Sequence, residues 1–394
     1  MNPVFDHILA MVVISVIFVS AVVIMPQLNL GSITLVEQQQ LRNVALNLFN
    51  AMLLDTGCPA NWGSIVNGTY YFHPGVLKRF GMASNRTTTF YVLDPDKVQR
   101  LNIHNPLGYL PYDYLKSVLN LAGYGFNFRL IQPFNVTNVN GTRIDENHPP
   151  IRFLDSRTLE YAIKVTRLDG TPVPSATVDG YVFYTYFKRG DNAYYFDYTR
   201  SASCLLNYTN ALGLCSRQIP LNDSLRLEDY VVNYVAILRV SIADIATLVV
   251  IGRDASAYVA NVNIVGDTVV LTKAKNPSNR NATITSIYVY TTDGEKISLY
   301  NGTNKDHFNT GSGQHILWSK SFTGLKELNP AVLIFVLSVE GEKILLAGPF
   351  RNLLNYNVFE YGGKVPVDSG AVKLQRYVIV NGMVYMTELW VWRE

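Results

Sequence analysis

The chain has 394 residues, of which only 16% are charged, and a formal net charge of +3. That argues against nucleic-acid binding, which needs a basic face. The length suits two or three domains with substantial cores; the 25 Tyr and 18 Phe suit strands, and no stretch is biased enough to stay disordered.

The first fifty-odd residues read as one helix with two solvents along its length. Residues 8–25 are uncharged and mostly large and apolar, and at about 1.5 Å per residue they cover about 27 Å, close to the hydrocarbon thickness of a bilayer. Asn2 caps this helix, Pro3 suits its first turn, and Asp6 lies near the positive end of its dipole. Pro26 kinks it and Gly31 weakens it. Over 35–55 the pattern turns amphipathic: Leu41, Val44, Ala45, Leu48, Phe49 and Met52 recur at helical spacing opposite Gln38, Gln39, Arg42, Asn43, Asn47 and Asn50. Leu41, Val44, Leu48 and Met52 are the expected contacts to the rest of the protein. Gly57 ends the helix after Asp55, and Pro59 prevents a restart. A cleaved signal peptide fits less well, because no Lys or Arg precedes Arg42 and no small-residue cleavage motif follows. The same lack of flanking cations leaves orientation to be read from the rest of the chain.

Residues 57–155 read as a small mixed α/β domain packed on that helix. Asp94-Pro95-Asp96 starts a helix, Pro111 starts a second that Gly123 ends, and 126–130 alternates as a strand. Pro149-Pro150 marks a boundary. Residues 156–274 read as a β-sandwich, with strands around 159–165, 178–187, 234–242, 246–251 and 263–271. Residues 275–394 read as a second β-rich domain. It holds hairpins at Asp293-Gly294 and Asn381-Gly382, a buried strand at 332–339, and a long aromatic last strand that needs cover. The expected fold class is α+β, mostly β.

Eight Asn-x-Ser/Thr sequons, at Asn67, Asn85, Asn135, Asn140, Asn207, Asn222, Asn281 and Asn301, all follow the apolar segment. They are roughly twice what chance gives and point to glycosylation outside the cell. Cys204 and Cys215 flank a polar loop; a bridge there contributes about 2–3 kcal/mol, the alternative being two buried thiols. Cys58 is left over. These cues place the bulk of the chain outside and a short N-terminus inside.

Chemistry is sparse. His7, His73, His104, His148, His307 and His315 are scattered, with no pair at helical spacing, and there is no phosphate-cradling glycine loop or Gly-x-Ser-x-Gly elbow. Asp55-Thr56-Gly57 and Asp368-Ser369-Gly370 mimic the paired motifs of a two-lobed aspartic protease, but the first ends a helix and the intervening chain does not form two similar lobes. Arg189-Gly190-Asp191 matches an adhesion tripeptide and is read as a solvated turn. Asp94 and Asp96 suit a calcium ion, yet capping explains Asp94 without one. No catalytic residue, cofactor or metal ligand is expected.

The DGTPVPSATV run at 169–178 resembles the opening of immunoglobulin-like modules of cell-surface proteins. The long helix with an apolar half, a mid-helix proline and an amphipathic half below a β-rich head resembles the type IV pilin and pseudopilin plan. LLDTGCPANWGS at 53–64, LDPDKVQRL at 93–101, YGFNFRL at 124–130 and RYVIVNGMVYMTELWVW at 376–392 resemble archaeal pilin-like surface proteins. The resemblance implies that Asp6 corresponds to the acidic residue near a pilin's mature N-terminus. It also makes Asp6, Val13, Phe18 and Pro26 part of the membrane or assembly helix. The chain departs from pilins in lacking a basic leader before the apolar run. The implied role is a structural or adhesive surface protein, its partners membrane lipid, other copies of the helix and filament-assembly machinery. One alternative is a monomeric anchored module that recognises a surface glycan or envelope protein; a lesser one is an extracellular enzyme.

Overall fold

The computed structural model describes residues 11, 14–15, 37–141, 151–155, 157–201, 208–221, 225–226, 228–243, 245–256, 258–349, 358–367 and 370–394. The expected membrane-spanning segment therefore lies almost wholly outside the described residues, as do Asp6, Val13, Phe18, Pro26, Cys204, Asn207 and Asn222. Among the described residues, no helix is long and apolar enough to cross a membrane. The described fold is mostly β, with several sheets.

Helix α1 covers residues 37–54. Its apolar stripe, Leu41, Ala45, Leu48, Phe49, Met52 and Leu53, is buried, and Val44 packs half-buried beside it. The 3.6-residue repeat puts these positions on one face, so burial of that face rather than intrinsic propensity holds the helix. At its end Gly57 N–H donates to Asp55 Oδ1 at 2.8 Å, and Gly57 adopts φ +74° against the Arg79 carbonyl, where a Cβ would come within 2.8 Å. Two short helices follow, α2 (Pro95–Gln99) and α3 (Tyr112–Val118).

The sheet next to α1 is built from both ends of the chain. It comprises β1 (Val92–Leu93), β2 (Tyr124–Ile131), β18 (Val358–Gly362), β19 (Val372–Val380) and β20 (Met383–Arg393), in the order β1-β19-β20-β2-β18. β20 lies antiparallel between β19 and β2, with Leu389 opposite Leu374 on one side and Phe128 on the other. Phe126, Phe128, Leu389 and Val391 share one apolar cluster with Leu48 and Met52 of α1. This corrects the division at residue 275: residues 358–393 complete the sheet of the small domain instead of belonging to the second β region. Alternation identifies a strand and its buried face but carries no information about which strand it pairs with.

The remaining strands form four stacked sheets. The outermost has β5 (Thr158–Thr166) paired with β3 (Asn135–Asn138), β4 (Ile151–Phe153) and β8 (Leu214–Pro220). Beneath it lie β6 (Thr177–Lys188), β7 (Ala193–Ser201), β9 (Tyr230–Ile242) and β10 (Ile245–Arg253), ordered β10-β9-β6-β7. Between these two sheets Leu159, Tyr161, Ile163 and Val165 meet Val182, Tyr184, Ala236 and Leu238. The third sheet holds β13 (Asn281–Thr291), β14 (Lys296–Asn309), β16 (Pro330–Val339) and β17 (Glu342–Gly348), ordered β14-β13-β16-β17. On its far side lie β11 (Ala260–Val265), β12 (Thr268–Lys273) and β15 (Ile316–Ser321).

The sandwich expected over 156–274 is thus redrawn. Its strands begin at Asn135, and 260–273 pack on the third sheet through Val262, Ile264, Val269 and Leu271. The two inner sheets are buried on both faces. Along β16, Leu333, Phe335 and Leu337 face the fourth sheet, whereas Val332, Ile334 and Val336 join Phe183, Ile237 and Val250 of the second. With side chains alternating in direction, burial on both faces demands apolar residues at odd and even positions alike. That is why the 332–339 run is nearly continuous.

Candidate functional site

The most chemically unusual region is a buried polar joint where α2 meets the β11–β12 hairpin. Asp94 caps α2 by accepting from Asp96 N–H at 3.0 Å, and Pro95 occupies the first turn. The turn then places Asp96, Lys97, Gln99 and Arg100 inside the protein, each less than 8% exposed. Lys97 Nζ donates to the Thr56 and Ala83 carbonyls at 2.9 and 2.7 Å. Arg100 Nε donates to Gly63 O at 2.9 Å, and its Nη1 to Leu107 O and Gly108 O at 2.8 and 3.1 Å. The guanidinium lies 4.9 Å from the Phe72 ring centroid. Asp96 pairs with Lys326, and Gln99 Nε2 bridges Asp96 Oδ1 and Ile264 O at 3.0 Å each.

Burial sets the protonation of this cluster. It raises the Asp96 pKa above the ordinary carboxylate value, against the lowering pull of the Lys326 cation. It also lowers Lys97, and brings Arg100 down to about 10. Asp96 faces an ammonium, and among the described residues no group of His, Cys, Asp and Glu is placed to hold a metal ion.

The expected assembly surface is represented by three residues of the apolar segment and by α1. Met11, Ile14 and Ser15 are helical, and Met11 and Ile14 are 70% and 66% exposed. Of the expected helix-to-head contacts, Leu41, Leu48 and Met52 are buried and Val44 is half-buried, all against the cluster that holds β20. Glu37 at the start of α1 accepts from Arg393 Nη1 at 2.8 Å, tying the helix to the last strand. A groove of about 400 Å³ runs between α1 and β19, lined by Gln38, Gln39, Arg42, Gly370, Ala371 and Val372.

The other singled-out residues fall in separate places. Asn67, Asn85, Asn140, Asn281 and Asn301 are exposed, whereas Asn135 is half-buried in β3. Cys215 is buried and disulfide-bonded, and Cys58 is free and exposed; Cys204, its expected partner, is outside the described residues. Asp55 is salt-bridged to Arg79 at 3.0 Å and caps α1, while Asp368 is not among the described residues, so the protease-like pair has no geometry to assess. Arg189-Gly190-Asp191 lies exposed at the tip of the β6–β7 hairpin. There the bonds from Lys188 and the Tyr195 hydroxyl hold the Asp191 pKa below its usual value. His307, in β14, bonds Thr283 Oγ1, and His315, just before β15, bonds the Pro106 carbonyl.

Two features escaped the sequence reading. The charged joint was one, although LDPDKVQRL puts four charges between leucines; Lys326, its essential partner, has no local signal. The other is an aromatic seam along the edge of the second and third sheets, where Phe196 stacks on Tyr288 at 5.6 Å and Lys296 Nζ sits 3.7 Å over Tyr198. No family model matches the sequence, and none of the curated proteins is similar to it.

Proposed function

We propose that the protein is a cell-surface structural or adhesive protein of pilin-like design. In this reading residues 8–25 form a transmembrane helix that anchors or assembles the chain, and immunoglobulin-like β domains are displayed outside the cell, shielded by glycans. One observation carries it: Met11 and Ile14, both helical and set in an uncharged stretch of sequence, are 70% and 66% exposed, while the apolar stripe of α1 is buried. Exposed apolar side chains on a helix are suited to lipid or to other helices as their surroundings. In a filament the same surface exchanges lipid contacts for packing against identical helices.

A second reading, a monomeric anchored binding module, draws on Tyr195 and Tyr230, which are exposed beside the Arg189-Gly190-Asp191 hairpin. Cell fractionation with N-terminal sequencing of the recovered chain separates the two. Recovery in sheared extracellular filaments supports the first; recovery only in detergent-soluble membrane supports the second. Val13→Lys, which puts a charge inside the span at a cost of up to about 2.5–3.5 kcal/mol, the value at a helix centre, should abolish membrane retention and any assembly. Normal retention of that variant refutes both readings.

A further inference from the structure

The Asp96–Lys326 contact differs in kind from the other ion pairs. Lys116–Glu394, Lys188–Asp191 and Lys373–Glu388 each leave at least one partner open to water. Asp96 and Lys326 are only 4% and 11% exposed, and no other ion pair among the described residues has both side chains so deeply buried. Two charges shut away from water lose several kcal/mol of hydration each, so such a contact favours any change that removes both.

The surroundings also prepare the carboxyl for attack. Gln99 Nε2 donates to Asp96 Oδ1 at 3.0 Å, and the Gly266 N–H points at both oxygens from 3.3 Å. Donors aimed at the oxygens stabilise negative charge there and leave the carboxyl carbon electrophilic. Lys326 Nζ lies directly against that carboxyl. Its backbone is fixed in turn, because Lys326 N–H donates to Asp267 Oδ1 at 2.9 Å within the Leu325–Leu328 turn. Asp94, also buried, is a second carboxylate beside Asp96.

We propose that Asp96 and Lys326 condense into an intramolecular amide, a covalent strut between α2 and the Leu325–Leu328 turn. Within the pair the Lys326 ammonium passes one proton to the Asp96 carboxylate; the amine so formed attacks Cγ of the carboxyl and a C–N bond forms. The C–OH bond of the tetrahedral adduct then breaks. One amine proton passes to the departing hydroxyl and one water leaves; the second N–H stays on the amide. Acid plus amine gives amide plus water, with no oxidant, reductant or co-reactant. Burial supports the step by raising the Asp96 pKa toward the protonated form. Condensation of this kind is unfavourable between free molecules in water. Groups held in contact act at effective concentrations of about 10⁵–10⁸ M, and the product has no charge to desolvate. The Gln99 and Gly266 donors then serve the amide oxygen. The inference holds whether or not the chain assembles into filaments.

The test is a tryptic map of the full-length chain, denatured and reduced. The expected result is a branched peptide joining the segments that contain Asp96 and Lys326. It is lighter than their sum by one water, resists cleavage after Lys326, and is absent from Asp96→Ala and Lys326→Ala. Recovery of both linear peptides at unmodified mass, with cleavage after Lys326, overturns the proposal. The unmutated chain alone decides the matter, so a variant that fails to fold does not obscure it.

Discussion

Leu389→Ala tests the claim that the end of the chain closes the domain at its beginning. Leu389 is fully buried in β20, flanked by Leu374 and Phe128, in the cluster that also takes Leu48 and Met52 from α1. Truncation removes three carbons, about 2.4 kcal/mol at about 0.8 kcal/mol per buried methylene. A cavity term adds to this, because strands hydrogen-bonded on both sides of β20 cannot collapse into the space. The total should approach about 4 kcal/mol, in the upper part of the range for buried Leu→Ala changes, a large share of a typical folding free energy. Native-state hydrogen exchange read by mass spectrometry reports where the loss falls. Protection should drop together in 41–53, 124–131 and 372–393, and stay unchanged in 281–291 and 330–339. If the third sheet loses protection while α1 keeps its own, β20 belongs energetically to the second β region and the reasoning fails.

Two further outcomes are expected. Gly180→Ala should prevent cooperative folding of the second sheet, because the new Cβ would lie 1.8 Å from the Ile237 carbonyl oxygen in the paired strand β9. A native-like thermal transition for this variant would refute the strand packing. Burial holds the pKa values of Tyr290, Tyr361 and Tyr385 well above their ordinary value of 10.0. Their neutral burial stabilises the fold fully below about pH 10, and that contribution is lost as pH rises, since the unfolded chain releases these protons first. Arg100, lowered to about 10, acts with the opposite sign in the same window, but one arginine stands against three tyrosines. Alkaline titration by tyrosinate absorbance should show a class that ionises only with loss of near-UV circular dichroism; ionisation of all tyrosines before unfolding would count against their burial.

How much was legible follows from the range of each signal. The stripe Leu41, Leu48, Met52 and the caps at Asp94 and Gly57 are local, and the structure puts them where their spacing says. The hairpin at Asn381-Gly382 is local too: both residues take positive φ, 52° and 79°, as a two-residue turn requires. The candidate site was only half legible. LDPDKVQRL shows a capped turn, but nothing near it announces that Asp96 is to be neutralised by Lys326.

The sequence by itself determined element type, capping, the apolar segment 8–25 and the mostly-β character, because helical and strand periodicities are properties of neighbouring residues. Only the tertiary structure decided which strands share a sheet, that residues 372–393 lie over α1, and that the charges of α2 are buried. Those outcomes depend on pairing between distant segments of similar pattern, where the competing arrangements differ in packing and desolvation rather than in any local preference.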